Sequence, residues 1–278
     1  MVVKDLSPDA MPNAARRARP AFLYDPRREI EVYRWILPHA PHGTATWYGA
    51  VASAAARRYW LFLERVRGLE LRHVGALSTW KEAARWAARF HRSFAPGVIA
   101  RLLPTSRLLV YDEAYYRRWL ERARQIVGSR PGSRRIVERI ASAYDCAIDR
   151  LVAMPRTLIH GEFYPCNVVV RTAGRRVRVC PVDWEMAAYA PALVDLASLA
   201  TGWNSRAQRA IVRAYHTAMS GGVSATGIPD EFWRDLECCR LHLAVRMLGW
   251  STAWQPPPQH AFNWLEEATQ VADRLRRT

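Results

Sequence analysis

Residues 158–185 read LIHGEFYPCNVVVRTAGRRVRVCPVDWE, and their pattern decides the fold. Leu158-Ile159 is a short apolar run leading into His160-Gly161-Glu162. Residues 168–170 and 177–182 are β-branched runs, and the Thr172-Ala173-Gly174-Arg175 stretch between them has the Gly of a tight hairpin. The expected order is strand, sharp loop, strand, hairpin turn, strand. Glu162, Asn167 and Asp183 then fall at strand ends. Two carboxylates and an amide oxygen suit a hard cation such as Mg²⁺. A carboxylate that holds no metal is placed instead to accept a proton from a hydroxyl.

The spacing narrows the reading. His160, Glu162 and Asn167 keep the spacing of the protein kinase catalytic loop, which is followed downstream by a metal-binding Asp at a strand end, as Asp183 is here. The words HGEFYPCNVVV and PVDWEMAAYAPALVDLASL resemble the H-G-D-x-x-x-x-N and I-D-W-E…D-L-A motifs of the aminoglycoside phosphotransferase and choline kinase-like family. The alternative for this stretch alone is a buried hairpin with incidental polar residues. The resemblance covers most of the chain. It implies an α+β, protein kinase-like two-lobed fold, with a small β-rich nucleotide-binding lobe over residues 1–66. A larger, mainly helical catalytic and acceptor-binding lobe follows over residues 67–278. The implied activity moves the γ-phosphate of ATP, with Mg²⁺, to a hydroxyl of a small molecule. In that scheme Glu162 accepts or orients the hydroxyl proton, and Asn167 and Asp183 hold the metal. His160 and Asp195 support the loop.

Upstream, Val2-Val3-Lys4 reads as the tail of a strand, and residues 25–37, DPRREIEVYRWIL, as a helix with Pro26 in its first turn and Pro38 at its end. The same resemblance makes Lys4 the grip on the α/β-phosphates, paired with Glu29 or, as second choice, Glu31. Two strands are expected within residues 43–66, around a helix or long turn. The second strand ends in Glu64-Arg65-Val66, where the resemblance places adenine against backbone groups of the hinge.

Two departures from the family pattern stand out. Glu162 occupies the place of the usual Asp, and its extra methylene extends its reach; a misplacement of about 1 Å costs on the order of a hundredfold in rate. The strands and loop that cover the nucleotide in the family would precede Lys4, where only three residues stand. Either the chain begins at a late start codon or the protein lacks its phosphate lid; as it stands, the N-terminal lobe is expected to be incomplete. Both departures favour a second reading: a non-catalytic, pseudokinase-like relative that binds a ligand or a partner protein.

From Ser78 the pattern turns helical, with Ser78-Thr79 as expected cap and Trp80, Ala83, Ala84, Ala87 and Phe90 on one face. His91 reads as a capping or packing residue. Helices are expected at 112–126 and 134–152, and Asp195 starts another. Three more span about 205–220, 229–250 and 261–276. Asp230, Glu231, Asp235 and Glu237 form an acidic run beside Trp233, and Phe232, Trp250, Trp254, Phe262 and Trp264 add aromatic surface. Such a patch attracts a cationic acceptor; core aromatics beside a solvated acidic face are the plainer account. His216 and His242 read as packing residues, and Pro256–Pro258 as a loop.

Composition bounds the rest. The 278 residues are half hydrophobic, ample for a core. No apolar run reaches bilayer length and the first twenty residues lack a signal-peptide core, so a cytoplasmic protein without membrane partners is expected. Five cysteines without C-x-x-C spacing argue against a disulfide framework or a structural zinc site. The net charge of +16 is nearly all Arg, with Lys4 and Lys81 the only lysines. The arginines are dispersed and no nucleic-acid motif accompanies them, so solvated helix faces explain them better than a nucleic-acid partner.

Overall fold

In residues 58–63, RYWLFL, alternate side chains are buried: Tyr59, Leu61 and Leu63. That is the period of a half-buried strand. The chain is described here by a computed structural model that covers residues 1–39, 43–94, 96–102, 106–129, 131–174, 176–222, 227–250 and 262–277. Its strands are β1 (Val2–Asp5), β2 (Trp47–Ser53), β3 (Arg58–Leu63), β4 (Leu69–Glu70), β5 (Leu109–Val110), β6 (Arg156–Ile159), β7 (Val168–Ala173), β8 (Arg176–Pro181) and β9 (Ala188–Pro191). Its helices are α1 (Asn13–Ala18), α2 (Arg28–Glu31), α3 (Leu77–Ser93), α4 (Pro96–Leu102), α5 (Glu113–Gly128), α6 (Arg134–Ala153), α7 (Leu193–Ala200), α8 (Ser205–Met219), α9 (Asp230–Leu248) and α10 (Trp264–Arg277). Two compact units result: Met1–Ala10, Asp25–Leu109 and Arg156–Ile228 form the first, and Met11–Tyr24, Val110–Pro155 and Pro229–Thr278 the second.

The first unit holds three antiparallel pairings that matter for the site. β3 lies between β1 and β2. Lys4 stands opposite Leu61 in that ladder, so its side chain shares the buried face. β2 and β3 are joined by a four-residue turn at 54–57, with Arg57 at φ 50°, shorter than the helix or long turn expected between the two strands. The turn closes because Ala56 N donates to Ser53 Oγ at 3.2 Å, which favours a turn over helix extension. β7 and β8 form the expected hairpin, from Val168↔Pro181 to Ala173↔Arg176, with Gly174 at φ 58°. β6 pairs with β9 from Arg156↔Pro191 to Ile159↔Ala188.

The segment expected as one helix over 25–37 is broken into shorter turns. After α2 it widens to a π-helical turn, Val32–Ile36, and then tightens over Leu37–His39. Ile30, Val32, Tyr33, Ile36 and Leu37 are all buried along this segment, while Arg34 and Trp35 between them are exposed. α3 begins at Leu77, with Ala76 at the cap position and no side-chain cap. Ser78 and Thr79 are therefore inside the helix, and Thr79 is buried. α3 packs along α8. Beneath the loops that follow β6 and β8, Trp86, Phe90, Phe163 and Trp184 form an aromatic layer, with Trp86–Phe163 centroids 5.9 Å apart and Phe90–Trp184 5.1 Å. Trp184 is fully buried. Truncating such a ring costs about 3–5 kcal/mol.

The second unit is built on α9. Residues 241–246 of this helix are buried without a break, so it is enclosed rather than amphipathic. α5, α6 and α10 pack against it. Asp112 caps α5 by accepting from Tyr115 N at 2.8 Å. His242 is buried and Tyr144 Oη lies 2.7 Å from its Nδ1. Desolvation, with Arg246 adding to it, holds the imidazole well below its usual pKa, so it packs neutral.

Candidate active site

β6 delivers the chain into His160-Gly161-Glu162. His160 is fully buried, and its Nε2 lies 2.9 Å from Val182 O while Glu162 N donates to its Nδ1 at 3.3 Å. Burial holds the imidazole below its usual pKa against the pull of Asp195. A neutral ring satisfies both contacts: Nε2–H donates and Nδ1 accepts. The backbone is braced from α7, where Asp195 Oδ2 accepts from His160 N at 2.8 Å and Oδ1 from Gly161 N at 2.9 Å. Gly161 sits at φ 80°, and a Cβ there would lie 2.1 Å from Met186 O.

The loop then folds onto its own carbonyls. Glu162 O accepts from Tyr164 N at 2.6 Å and from Asn167 Nδ2 at 3.1 Å. Asn167 O in turn accepts from Val182 N at 2.8 Å, which ties the loop to the end of β8. The amide nitrogen of Asn167 is thus tied to the loop.

Asp183 follows at φ 68°, ψ 66°, the left-handed region that Asp tolerates better than most residues. Lys4 Nζ reaches Asp183 Oδ1 at 2.6 Å and Glu29 Oε2 at 2.6 Å. The other Glu29 oxygen accepts from Trp184 N at 3.1 Å. Burial disfavours the Lys4 charge, but Glu29 and Asp183 outweigh it and raise its pKa above the ordinary lysine value. Burial pushes the Glu29 carboxyl up to about 7, with Lys4 pulling against it. The two directions describe one event: the ammonium gains from the shared charge while the buried acid bears the desolvation. Glu31, the second choice for this partnership, accepts instead from Arg107 Nε at 3.0 Å.

Glu64 ends the first sheet. Its carboxylate takes both Arg178 Nη atoms, at 2.6 and 2.8 Å, and also accepts from Thr46 N at 3.1 Å. These hydrogen bonds, those of Arg178 first, hold its pKa down to about 2. Glu64 N donates to Thr46 O at 2.8 Å. Arg65 is exposed and Val66 half-buried.

The structure also recruits residues that sequence reading passed over. His91 Nε2 lies 3.2 Å from Asp195 Oδ2 and its Nδ1 2.8 Å from Tyr215 Oη, so this packing histidine contacts the carboxylate that braces the loop. Arg178 and Arg28 were two among many arginines, and only burial and partners distinguish them. In the second unit two of the four acidic residues are held in ion pairs: Arg150 pairs with Asp235, and Arg240 and Arg274 each reach Glu237 at 2.9 Å. Trp250 stacks on Trp119 at 5.9 Å rather than standing apart. Trp254 and Pro256–Pro258 lie outside the described residues.

Among the described residues no three His, Cys, Asp or Glu side chains cluster as a metal cage. Asn167 and Asp183 fit Mg²⁺ in a different manner, since that ion is bound through one or two protein ligands plus phosphates and waters. The Asn167 amide oxygen and the part-exposed Asp183 carboxylate are donors of the right hardness.

A strand lysine shared by a helix glutamate and a strand-end aspartate, beside a loop of this hydrogen bonding, defines a protein kinase-like α+β fold. Solved structures agree on that fold. An aminopropanol kinase associated with a microcompartment matches with TM-score 0.64 at 12% identity, covering 99% of this chain and 84% of that one. An aminoglycoside 2'-phosphotransferase in its GDP complex matches with TM-score 0.62 at 12% identity, covering 90% and 81%. An aminoglycoside phosphotransferase from Streptomyces rimosus, bound to ADP and streptomycin, matches with TM-score 0.56 at 16% identity, covering 90% and 86%. No curated protein matches the sequence. Within that fold, the chain belongs to the phosphotransferase enzyme family, whose model matches residues 8–228. Lys4 lies before the matched region, so its part rests on geometry.

Proposed function

We propose that this protein transfers the γ-phosphoryl group of ATP to a hydroxyl of a small molecule. The observation that carries the proposal is Lys4, held 2.6 Å from both Glu29 and Asp183 although the three residues come from distant parts of the sequence. The nucleotide belongs to the lobe formed by residues 1–66, with adenine against the backbone of Glu64, Arg65 and Val66. The acceptor belongs to the helical lobe, residues 67–278. Lys4 grips the α/β-phosphates and Glu29 orients it. Asn167 and Asp183 would hold Mg²⁺, which neutralises charge on the β- and γ-phosphates when bound. Glu162 accepts or orients the proton of the incoming hydroxyl, while His160 and Asp195 keep its loop in shape. Structural neighbours named as an aminopropanol kinase and as aminoglycoside phosphotransferases, the latter bound to GDP or ADP, support a small hydroxyl acceptor. Five free cysteines suit a reducing compartment, the cytoplasm, where ATP is supplied. Among the described residues no helix is long and apolar enough to cross a membrane.

The test is ATP turnover against a panel of amino alcohols, aminoglycosides and sugars. Asp183→Ala lowers kcat by about a hundredfold or more, as loss of a charge-positioning group does; an unchanged rate refutes the assignment. One observation favours the second reading of a binding protein without catalysis: Glu162 carries a methylene more than the family acid. Wild-type protein that binds Mg·ATP but turns over no acceptor supports it, and Glu162→Asp then restores activity if reach alone is at fault.

A further inference from the structure

We infer that Arg28 is a positioning residue for this chemistry: it fixes the loop that carries Asp183 by gripping the carbonyl of Glu185. The inference rests on the phosphotransferase reading above. Arg28 is only 5% exposed, an unusual place for arginine. Its Nε donates to Arg107 O at 2.7 Å and its Nη1 to Glu185 O at 2.8 Å. These two acceptors are backbone carbonyls. Burying a guanidinium against carbonyls is costly in solvation, and what it supplies here is a planar fork that spans two segments remote in sequence.

The gripped segment needs holding. A left-handed non-glycine residue such as Asp183 costs on the order of 1–3 kcal/mol and persists only where its surroundings impose it. On its N-terminal side, Val182 N is bonded to Asn167 O at 2.8 Å. In the middle, Trp184 N is bonded to Glu29 Oε1 at 3.1 Å. Arg28 takes the C-terminal side. Glu29 and Arg28 are consecutive in α2, so one turn supplies the acid for Trp184 and the base for Glu185. Arg107 in turn holds α2, reaching Asp25 and Glu31 at 3.0 Å each. Residues 25–31, 107 and 183–185 thus form a closed circuit of hydrogen bonds. Removing the guanidinium opens the circuit next to the proposed metal ligand while leaving Glu29 in place.

The experiment compares wild type, Arg28→Lys and Arg28→Gln by amide hydrogen exchange without substrate, and by steady-state kinetics. Loss of a charged hydrogen bond predicts exchange about tenfold faster at residues 183–187 in R28Q, with α8 and α9 unchanged. A lysine reaches one carbonyl where the fork reaches two, so R28K is intermediate, at about threefold. kcat falls in the same order, to about a tenth in R28Q, and the acceptor KM stays within about twofold. Unchanged exchange at 183–187, or acceleration spread over the whole chain, overturns the proposal. Should R28Q fail to fold, R28K decides by the same criteria. Accelerated local exchange in a chain that turns over no acceptor keeps the clamp and overturns the enzyme reading; unchanged exchange with normal turnover does the reverse.

Discussion

Gly161 and Lys4 show how single residues hold this site. At Gly161 both space and backbone geometry exclude a side chain, since the Cβ of alanine would stand 2.1 Å from the Met186 carbonyl oxygen at a φ of 80°. Gly161→Ala should destabilise the protein by about 2 kcal/mol or more and slow any turnover with it; denaturant unfolding gives the number. Lys4 is a different case. Glu29 is buried beside it, so Lys4→Met leaves an acid without its cation, at a cost of about 3–5 kcal/mol at neutral pH. The sign with pH follows from Glu29, whose folded pKa is raised above 4.5 already in the wild type. A raised acid favours the folded state in its protonated form, so that contribution is present at low pH and lost as pH climbs from 4.5 to about 7. In K4M the opposing pull of Lys4 is gone, so the folded pKa moves higher and thermal stability should go on declining to a higher pH than in wild type.

At the scale of elements, the pairing of Glu64 with Arg178 fastens the end of β3 to β8, and Thr46 at the entrance to β2 joins the same carboxylate. The Glu64 pKa is depressed from 4.5 to about 2. Its stabilisation is therefore complete above pH 4.5 and is lost as pH falls towards 2. The pair is part-exposed, so screening limits it to on the order of 1 kcal/mol. Between pH 5 and 3, wild type should lose thermal stability faster than Glu64→Gln, whose side chain does not titrate; parallel curves would show that the pair contributes nothing. The sequence suggested a strand end at Glu64. It could not supply Arg178 as the partner, because the contact depends on two hairpins meeting across 114 positions.

Across the molecule, legibility followed how local the cause was. The hairpin of residues 168–181, the start of α7 and the long amphipathic helices were readable because β-branched runs, turn glycines and helical spacing act over a few residues. The π-helical turn after α2 and the short β2–β3 turn were not: the first carries no local mark in the sequence, and the second turns on a Ser53 side chain that bonds Ala56 N. The proposed site was legible where a motif names it, at 160–167 and 183. Its supports were opaque: Arg28, His91 and Tyr215 carry no local mark, and their roles exist only once distant segments meet.

The backbone at Asp183 has an evolutionary corollary. Few side chains accept that conformation, chiefly Gly, Asn and Asp, so drift at this position is channelled towards residues that keep the loop intact while removing its charge. A descendant carrying Asn or Gly there would express, fold and melt much as its ancestor does. Purification and calorimetry would pass it as sound, and an assay of the proposed phosphoryl transfer would be the one to register what had gone.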